Sequence, residues 1–273
     1  MSKKEIKSEM TFWQHLEELR WHIVRSVAAV LIFSIAAFLN REIIFDKIIL
    51  APSTSEFWTN RMLCSLSDLL SLPMICIENL HLKIINISMS GQFMVHMYIS
   101  VMSGLVMAFP YILWEIWRFV KPALLQKEKD NSRGAVIVAS MLFYIGMAFS
   151  YFLIVPLTIN FLGTYQVSDT VENQIALRSF INTVISLSFA VGVVFELPIV
   201  VFFLTKIGVL TPMSMKKGRK YALIIVLLVS AIITPADIFS QIMVSIPLYL
   251  LFEVSIGVSA RIYRKSKFKE DIL

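Results

Sequence analysis

Three glutamates are the residues of this sequence whose settings could make them do chemistry. Glu196 stands inside an otherwise apolar run, Phe180 to Leu204, where a charged carboxylate costs at least about 2.5–3.5 kcal/mol on insertion scales. It is expected to be protonated or hydrogen-bonded there. Two roles are open to it: a neutral acid pinning two helices together, or a site for a partner or a proton. Pro198, two residues on, removes a backbone donor, which frees the Val194 carbonyl, bends the helix and can open a polar concavity at that depth. Glu18 belongs to the charged stretch Phe12-Trp-Gln-His-Leu-Glu-Glu-Leu-Arg20. Thr11 and Gln14 have the spacing of a reciprocal helix cap. At 3.6 residues per turn, Phe12, Leu16, Leu19 and Ile23 then share one stripe, while His15, Glu18, His22 and Arg25 line another. Glu18 is thereby placed at a water–lipid boundary. Glu128, in Gln126-Lys-Glu-Lys-Asp130, is either one charge of a solvated loop or a carboxylate able to meet Glu18 on the same side of the membrane.

Other polar groups have milder readings. Gln241, Ser245, Tyr249 and Glu253 recur every four residues along the last apolar run, a stripe suited to interhelical hydrogen bonding and equally able to receive another protein's helix. Asp237 precedes that run as a cap. Glu115 and Arg118 form an i, i+3 pair at the end of the second run, where Arg can reach the interface. His96, alone on an apolar face, is a packed or cavity histidine. Cys64 and Cys76 permit a disulfide, and two free buried thiols are comparably consistent with the sequence. The four His and two Cys have no spacing suited to a metal cage, so no metal is expected.

The elements that must position these groups are membrane spans. Of the 273 residues, 57% are hydrophobic and only 16% charged, and the mean hydropathy is +0.74, too apolar for an ordinary globular domain of this size. The predicted class is an all-α polytopic membrane protein, a single membrane domain over 1–273. Its spans lie at about 23–39, 93–120, 135–155, 180–204, 221–233 and 238–258, the last two short. Pro110 and Pro198 should kink the second and fourth spans, and Pro156 should close the third. Between the first two spans, Arg41 to Gly91 is too polar to cross yet carries amphipathic pieces, Ile43 to Leu50 and Leu63 to Leu72, and is expected to form an ordered cap with short helices. No small-residue cleavage pattern closes the first apolar run, which is expected to stay as a span.

Charge orients the spans. Twenty of the 25 Lys and Arg fall in the N-terminal region, the second-third loop, the fourth-fifth loop and the tail, while the alternate loops hold only Arg41, Lys47, Arg61, Lys83 and Arg178. The positive-inside rule then puts both termini in the cytoplasm and the cap on the outer, periplasmic face. Anionic lipid headgroups of the bilayer are sufficient partners for the basic inner face, and no nucleic acid is implied.

Several motifs, in order along nearly the whole chain, together carry a resemblance. His15-Leu-Glu-Glu-Leu-Arg20, Phe109-Pro-Tyr-Ile-Leu-Trp-Glu-Ile-Trp-Arg-Phe-Val-Lys-Pro-Ala-Leu124 with Glu128 four residues on, Phe143-Tyr-Ile-Gly-Met-Ala-Phe149, Phe195-Glu-Leu-Pro198 and Thr234-Pro-Ala-Asp-Ile-Phe-Ser-Gln241 resemble the TatC subunit of the twin-arginine (Sec-independent) protein translocase. The resemblance implies a six-helix receptor in the bacterial cytoplasmic membrane for signal peptides bearing consecutive arginines. It implies passage of folded proteins driven by the proton-motive force, without cofactor or chemical turnover. By motif, the family's signal-peptide carboxylates fall on Glu18 and Glu128, with Arg20 and Phe119 in the neighbouring pattern. The buried acid falls on Glu196, and the polar site for a partner helix on Thr234 and Gln241. The implied partners are single-span TatA-type and TatB-type subunits and further copies of the chain within a larger complex. The sequence departs from the commoner pattern in its long first outer loop with two cysteines and in Ala123, where Gly is frequent.

A secondary transporter of a small solute, with Glu196 as its proton site, is the rival class, but no pair of Gly/Pro-broken segments recurs symmetrically in two halves. An intramembrane hydrolase has less support, because no Ser-His, metal-His or paired-Asp arrangement lies on the spans.

Overall fold

The computed structural model describes residues 12–54, 56–70, 83–120, 132–168, 173–234 and 237–270. Helix α1, Phe12–Leu39, runs unbroken from the charged stretch into the first apolar run, as expected of residues that include no Gly or Pro. Thr11 lies outside the described residues. A π-helical segment, Glu42–Ile49, a 3-10 turn, Ala51–Ser53, and helix α2, Trp58–Leu70, supply the short helices of the cap. Cys64 on α2 is disulfide-bonded; Cys76 lies outside the described residues. Strands β1, Lys83–Ile85, and β2, Gln174–Ala176, pair in parallel with Lys83 opposite Gln174. This two-stranded ribbon is an addition to the all-helical expectation, and its three-residue strands are too short to leave a period-two signal.

Helix α3 spans Gly91–Val120. Helix α4, Ser132–Phe149, continues through a π-helical turn, Ser150–Ile154, into α5, Val155–Thr164. Helices α6, Leu177–Val194, and α7, Leu197–Lys206, are separated by a turn at Phe195 and Glu196. A short α8, Pro212–Lys217, then precedes α9, Arg219–Ile233, and α10, Ile238–Glu270.

Five stretches, 16–39, 91–120, 134–164, 177–206 and 238–264, are long and apolar enough to cross a membrane. Helix α9, outside these stretches, has 15 residues, about 22 Å at 1.5 Å per residue, short of a ~30 Å hydrocarbon core. The expectation of a short fifth span therefore holds. That of a short sixth does not: α10 has 33 residues, because the Lys, Arg and Glu of its tail favour helix as strongly as apolar residues do and no proline stops it.

Helix α6 lies at the centre. Leu177, Phe180, Ile181, Val184, Leu187 and Val191 are buried and pack with Val95 and Ile99 of α3, Ile154 to Ile159 of the third span, and Val244 and Leu248 of α10. The outward faces are apolar too, as with Ile23, Val27, Leu31 and Ile35 of α1, which suits a lipid rather than an aqueous surround. Helices α1 and α3 cross most closely at Gly104, where a Cβ would stand 2.6 Å from the Ser34 backbone N and 2.8 Å from its Cα. A Gly104→Ala variant must push the two backbones apart and is expected to lose about 1–3 kcal/mol, read as a lowered melting temperature of the detergent-solubilised chain. An unchanged melting temperature would contradict so close a crossing.

Three of the prolines are met by hydroxyls. A proline leaves without a donor the carbonyl four residues before it, and in a membrane no water fills the gap. The Val106 carbonyl, freed by Pro110, accepts from the Tyr144 hydroxyl of α4 at 3.2 Å. The Ile48 carbonyl, four residues before Pro52, accepts from Tyr151. The Phe152 carbonyl, four residues before Pro156, accepts from the Thr59 hydroxyl of α2. This corrects the expected end of the third span at Pro156. The helix continues to Thr164 because a π turn leads into the ring and Thr59 supplies the lost bond. Phe57 stacks on Phe152 with ring centroids 5.7 Å apart, so the cap is seated on that same turn.

Candidate functional site

The rim of the bundle bearing the start of α1 carries one candidate site. Glu17 and Glu18 are successive on a helix and so point about 100° apart. Glu17 is spent on Arg20, 3.5 Å away, with both side chains more than half exposed, a pair worth little in water. Glu18 is partly buried, and no hydrogen bond or ion pair joins it to any described residue. Its carboxylate is therefore an open acceptor at the boundary. Glu128, its proposed counterpart, lies outside the described residues. Arg20 faces Glu17 rather than Glu18, and Phe119 lies across from α1 with its ring 5.9 Å from that of His22, edge to face.

Behind Glu18 is a buried polar cluster that the sequence reading paired wrongly. Glu115 is 1% exposed and does not pair with Arg118, whose guanidinium lies 5.6 Å over the Trp114 ring. It bonds instead to His22 Nδ1 across the α1–α3 contact. It also accepts from the Tyr111 hydroxyl at 3.0 Å and has the Arg25 guanidinium at 4.0 Å. His22 and Arg25 share a helical stripe with Glu18 in the sequence, which is the signal periodicity carries for this cluster. An i, i+3 spacing says which groups can touch along one helix and nothing about what the next helix presents.

The second candidate lies at the α6–α7 break. The turn forms because Pro198 occupies the first turn of α7, where a missing N–H costs nothing. Phe195 turns onto α4 at Gly146, where a Cβ would stand 2.4 Å from its ring, so only glycine permits that approach. Glu196 Oε1 is sequestered from solvent and has no hydrogen-bond partner among the described residues. Nor does any described residue donate to the Val194 carbonyl that Pro198 frees. Of the two states expected for Glu196, the hydrogen-bonded one is not found at this oxygen.

Thr234 and Gln241 are not bonded to Glu196. The Thr234 hydroxyl donates to Ser230 O at 2.9 Å, and Gln241 Nε2 reaches across to Leu227 O of α9 at 3.0 Å. Asp237 caps α10 as expected, accepting from Ser240 N at 2.6 Å. Farther along the stripe, Glu253 accepts from Arg219 at 2.7 Å and from Tyr249 at 3.4 Å. Gln241 and Glu253 of the stripe thus each bond across to α9, as its packing reading expects. His96 is packed, stacked on Phe38 with centroids 4.1 Å apart and its Nε2 3.2 Å from Phe38 O.

A bundle of apolar helices with outward hydrophobic faces, an open carboxylate at one rim and an unpaired one at a mid-span break defines a multi-pass membrane protein. A family model for the Sec-independent protein translocase protein TatC matches residues 14–247. This chain belongs to the TatC family. It is 37% identical over 264 residues to the Sec-independent protein translocase protein TatC of a Blattabacterium from Periplaneta americana, covering 96% of this chain and 99% of that one. The TatC of Aquifex aeolicus is 33% identical over 261 residues, covering 94% and 98%. A crystal structure of the twin arginine translocase receptor TatC, in the detergent DDM, superposes with a TM-score of 0.73 at 31% identity, over 90% of this chain and 99% of that one.

Proposed function

We propose that this chain is the receptor for signal peptides with consecutive arginines and the core subunit of a translocase that moves folded proteins across the bacterial cytoplasmic membrane on the proton-motive force. Glu18 and Glu128 accept the arginines, with Phe119 beside them, while the apolar part of the signal lies against α3 and its neighbours. The observation that supports the reading is the Glu18 carboxylate, without a partner among the described residues on a rim where the adjacent Glu17 already holds Arg20. Guanidinium is a rigid planar fork that a carboxylate accepts bidentately, and an ammonium reproduces that geometry poorly. Both termini face the cytoplasm, in keeping with the Lys and Arg bias of the loops. Glu196, Thr234 and Gln241 recruit single-span TatA-type or TatB-type helices, and several copies of the chain assemble together.

A photo-reactive signal peptide tests this. In membranes holding the assembled translocase, an Arg-Arg peptide is expected to crosslink to this chain and its Lys-Lys counterpart to crosslink at least roughly tenfold less, the scale of one lost charge-assisted bond. Equal labelling by the two peptides would refute the receptor role.

A further inference from the structure

Glu18 and His22 are one helical turn apart on α1, and Glu115 and Phe119 are one turn apart on α3, so each pair stacks along one face of its helix. The two faces are fastened together. His22 bonds Glu115 and meets the Phe119 ring edge to face, while Tyr111 and Arg25 occupy the rest of the Glu115 carboxylate. The imidazole is 5% exposed and the carboxylate 1%. Such a pair is costly to bury and gives its best return in register, because a one-turn slide would leave both groups buried and unpaired. Near this end of α1, Trp21, Ile23 and Val24 are exposed, and the close approach of Gly104 to Ser34 lies more than about four turns from Glu18 along the helix.

We propose that His22 and Glu115 are positioning residues for signal-peptide recognition. Their contact fixes the axial height and rotation of the α1 turn that carries Glu18 relative to Phe119, so that the carboxylate meets a guanidinium fork end-on. This rests on the receptor reading above. A fork needs two parallel bonds, and a misplaced carboxylate loses the second bond before it loses the first. An ammonium needs only proximity. Loosening the clasp should therefore erode the preference for arginine over lysine rather than binding in general.

The test uses the full-length chain in membranes with its translocase partners, titrated with photo-reactive Arg-Arg and Lys-Lys signal peptides. Glu115→Ala is expected to lower the Arg-Arg affinity roughly tenfold, equivalent to one well-placed charged hydrogen bond, and to leave the Lys-Lys affinity near wild type, so that the ratio between them shrinks by the same factor. Glu115→Gln, which keeps an acceptor for His22, is expected to restore most of the ratio. A merely structural role would reduce the folded fraction and lower both affinities alike. An unchanged ratio in Glu115→Ala, with or without loss of folded chain, therefore overturns the proposal. Glu18→Ala, run alongside, separates the two levels. If it binds the Arg-Arg peptide as wild type does, the receptor reading itself fails. If it loses binding while Glu115→Ala keeps the wild-type ratio, the positioning role alone fails.

Discussion

The double variant Glu18→Ala, Glu128→Ala is expected to abolish photo-crosslinking of an Arg-Arg signal peptide and, with it, export of a folded precursor. Each arginine that loses a carboxylate forfeits a charge-assisted contact worth about 1.5–3 kcal/mol. Two such losses weaken binding by roughly 10²–10⁴-fold. Single variants should fall between, with Glu18→Gln milder than Glu18→Ala because an amide oxygen still accepts one bond. Glu17→Ala is the internal control. Its only bond among the described residues is an exposed pair with Arg20, so its removal should change peptide affinity less than about twofold. Crosslinking at the wild-type level in a double variant that melts like wild type would remove the clamp from consideration.

Glu196→Ala should separate stability from assembly. The carboxyl has an oxygen that is sequestered and unbonded within the chain, and removing an unsatisfied polar group from an apolar setting does not destabilise a fold. The variant is expected to melt at or slightly above the wild-type temperature and to bind signal peptide normally. It should fail to co-purify with the proposed single-span partners, because the cost of an acid at membrane depth, about 2.5–3.5 kcal/mol, is relieved by a polar group on another helix. Loss of both folding and peptide binding would instead make Glu196 a pin within the bundle.

Local chemistry accounts for which parts of this architecture were legible. The second span, read as 93–120, is α3 at Gly91–Val120, since the apolar run is bordered in the sequence by polar residues on either side. The charged start of α1, the cap's short helices and the Asp237 cap were likewise written in near neighbours. The third span was cut short at Pro156 because the donor that rescues it, Thr59, sits 93 residues from the carbonyl it serves. Glu115 was given Arg118 for the same reason: its true partner, His22, is also 93 residues away. At the sites, Glu18 and Glu196 were visible from charge in an apolar context. The register of α1 against α3, which sets where Glu18 points, was not, because it depends on an interhelical bond and on the absence of a Cβ at Gly104.

The hydroxyls that meet the prolines have a mechanical meaning. Each turns a flaw in one helix into a rivet to its neighbour: Tyr144 joins α4 to α3, Tyr151 joins the third span to the π segment of the cap, and Thr59 joins α2 to that span. Away from water a broken rivet has no substitute bond, so the cap, α3 and the third span resist shear as one plate. At Pro198, as at Pro247 inside α10, no described residue donates to the freed carbonyl. Two joints of the bundle are therefore left without such a bond, and Glu196 stands at the edge of one of them.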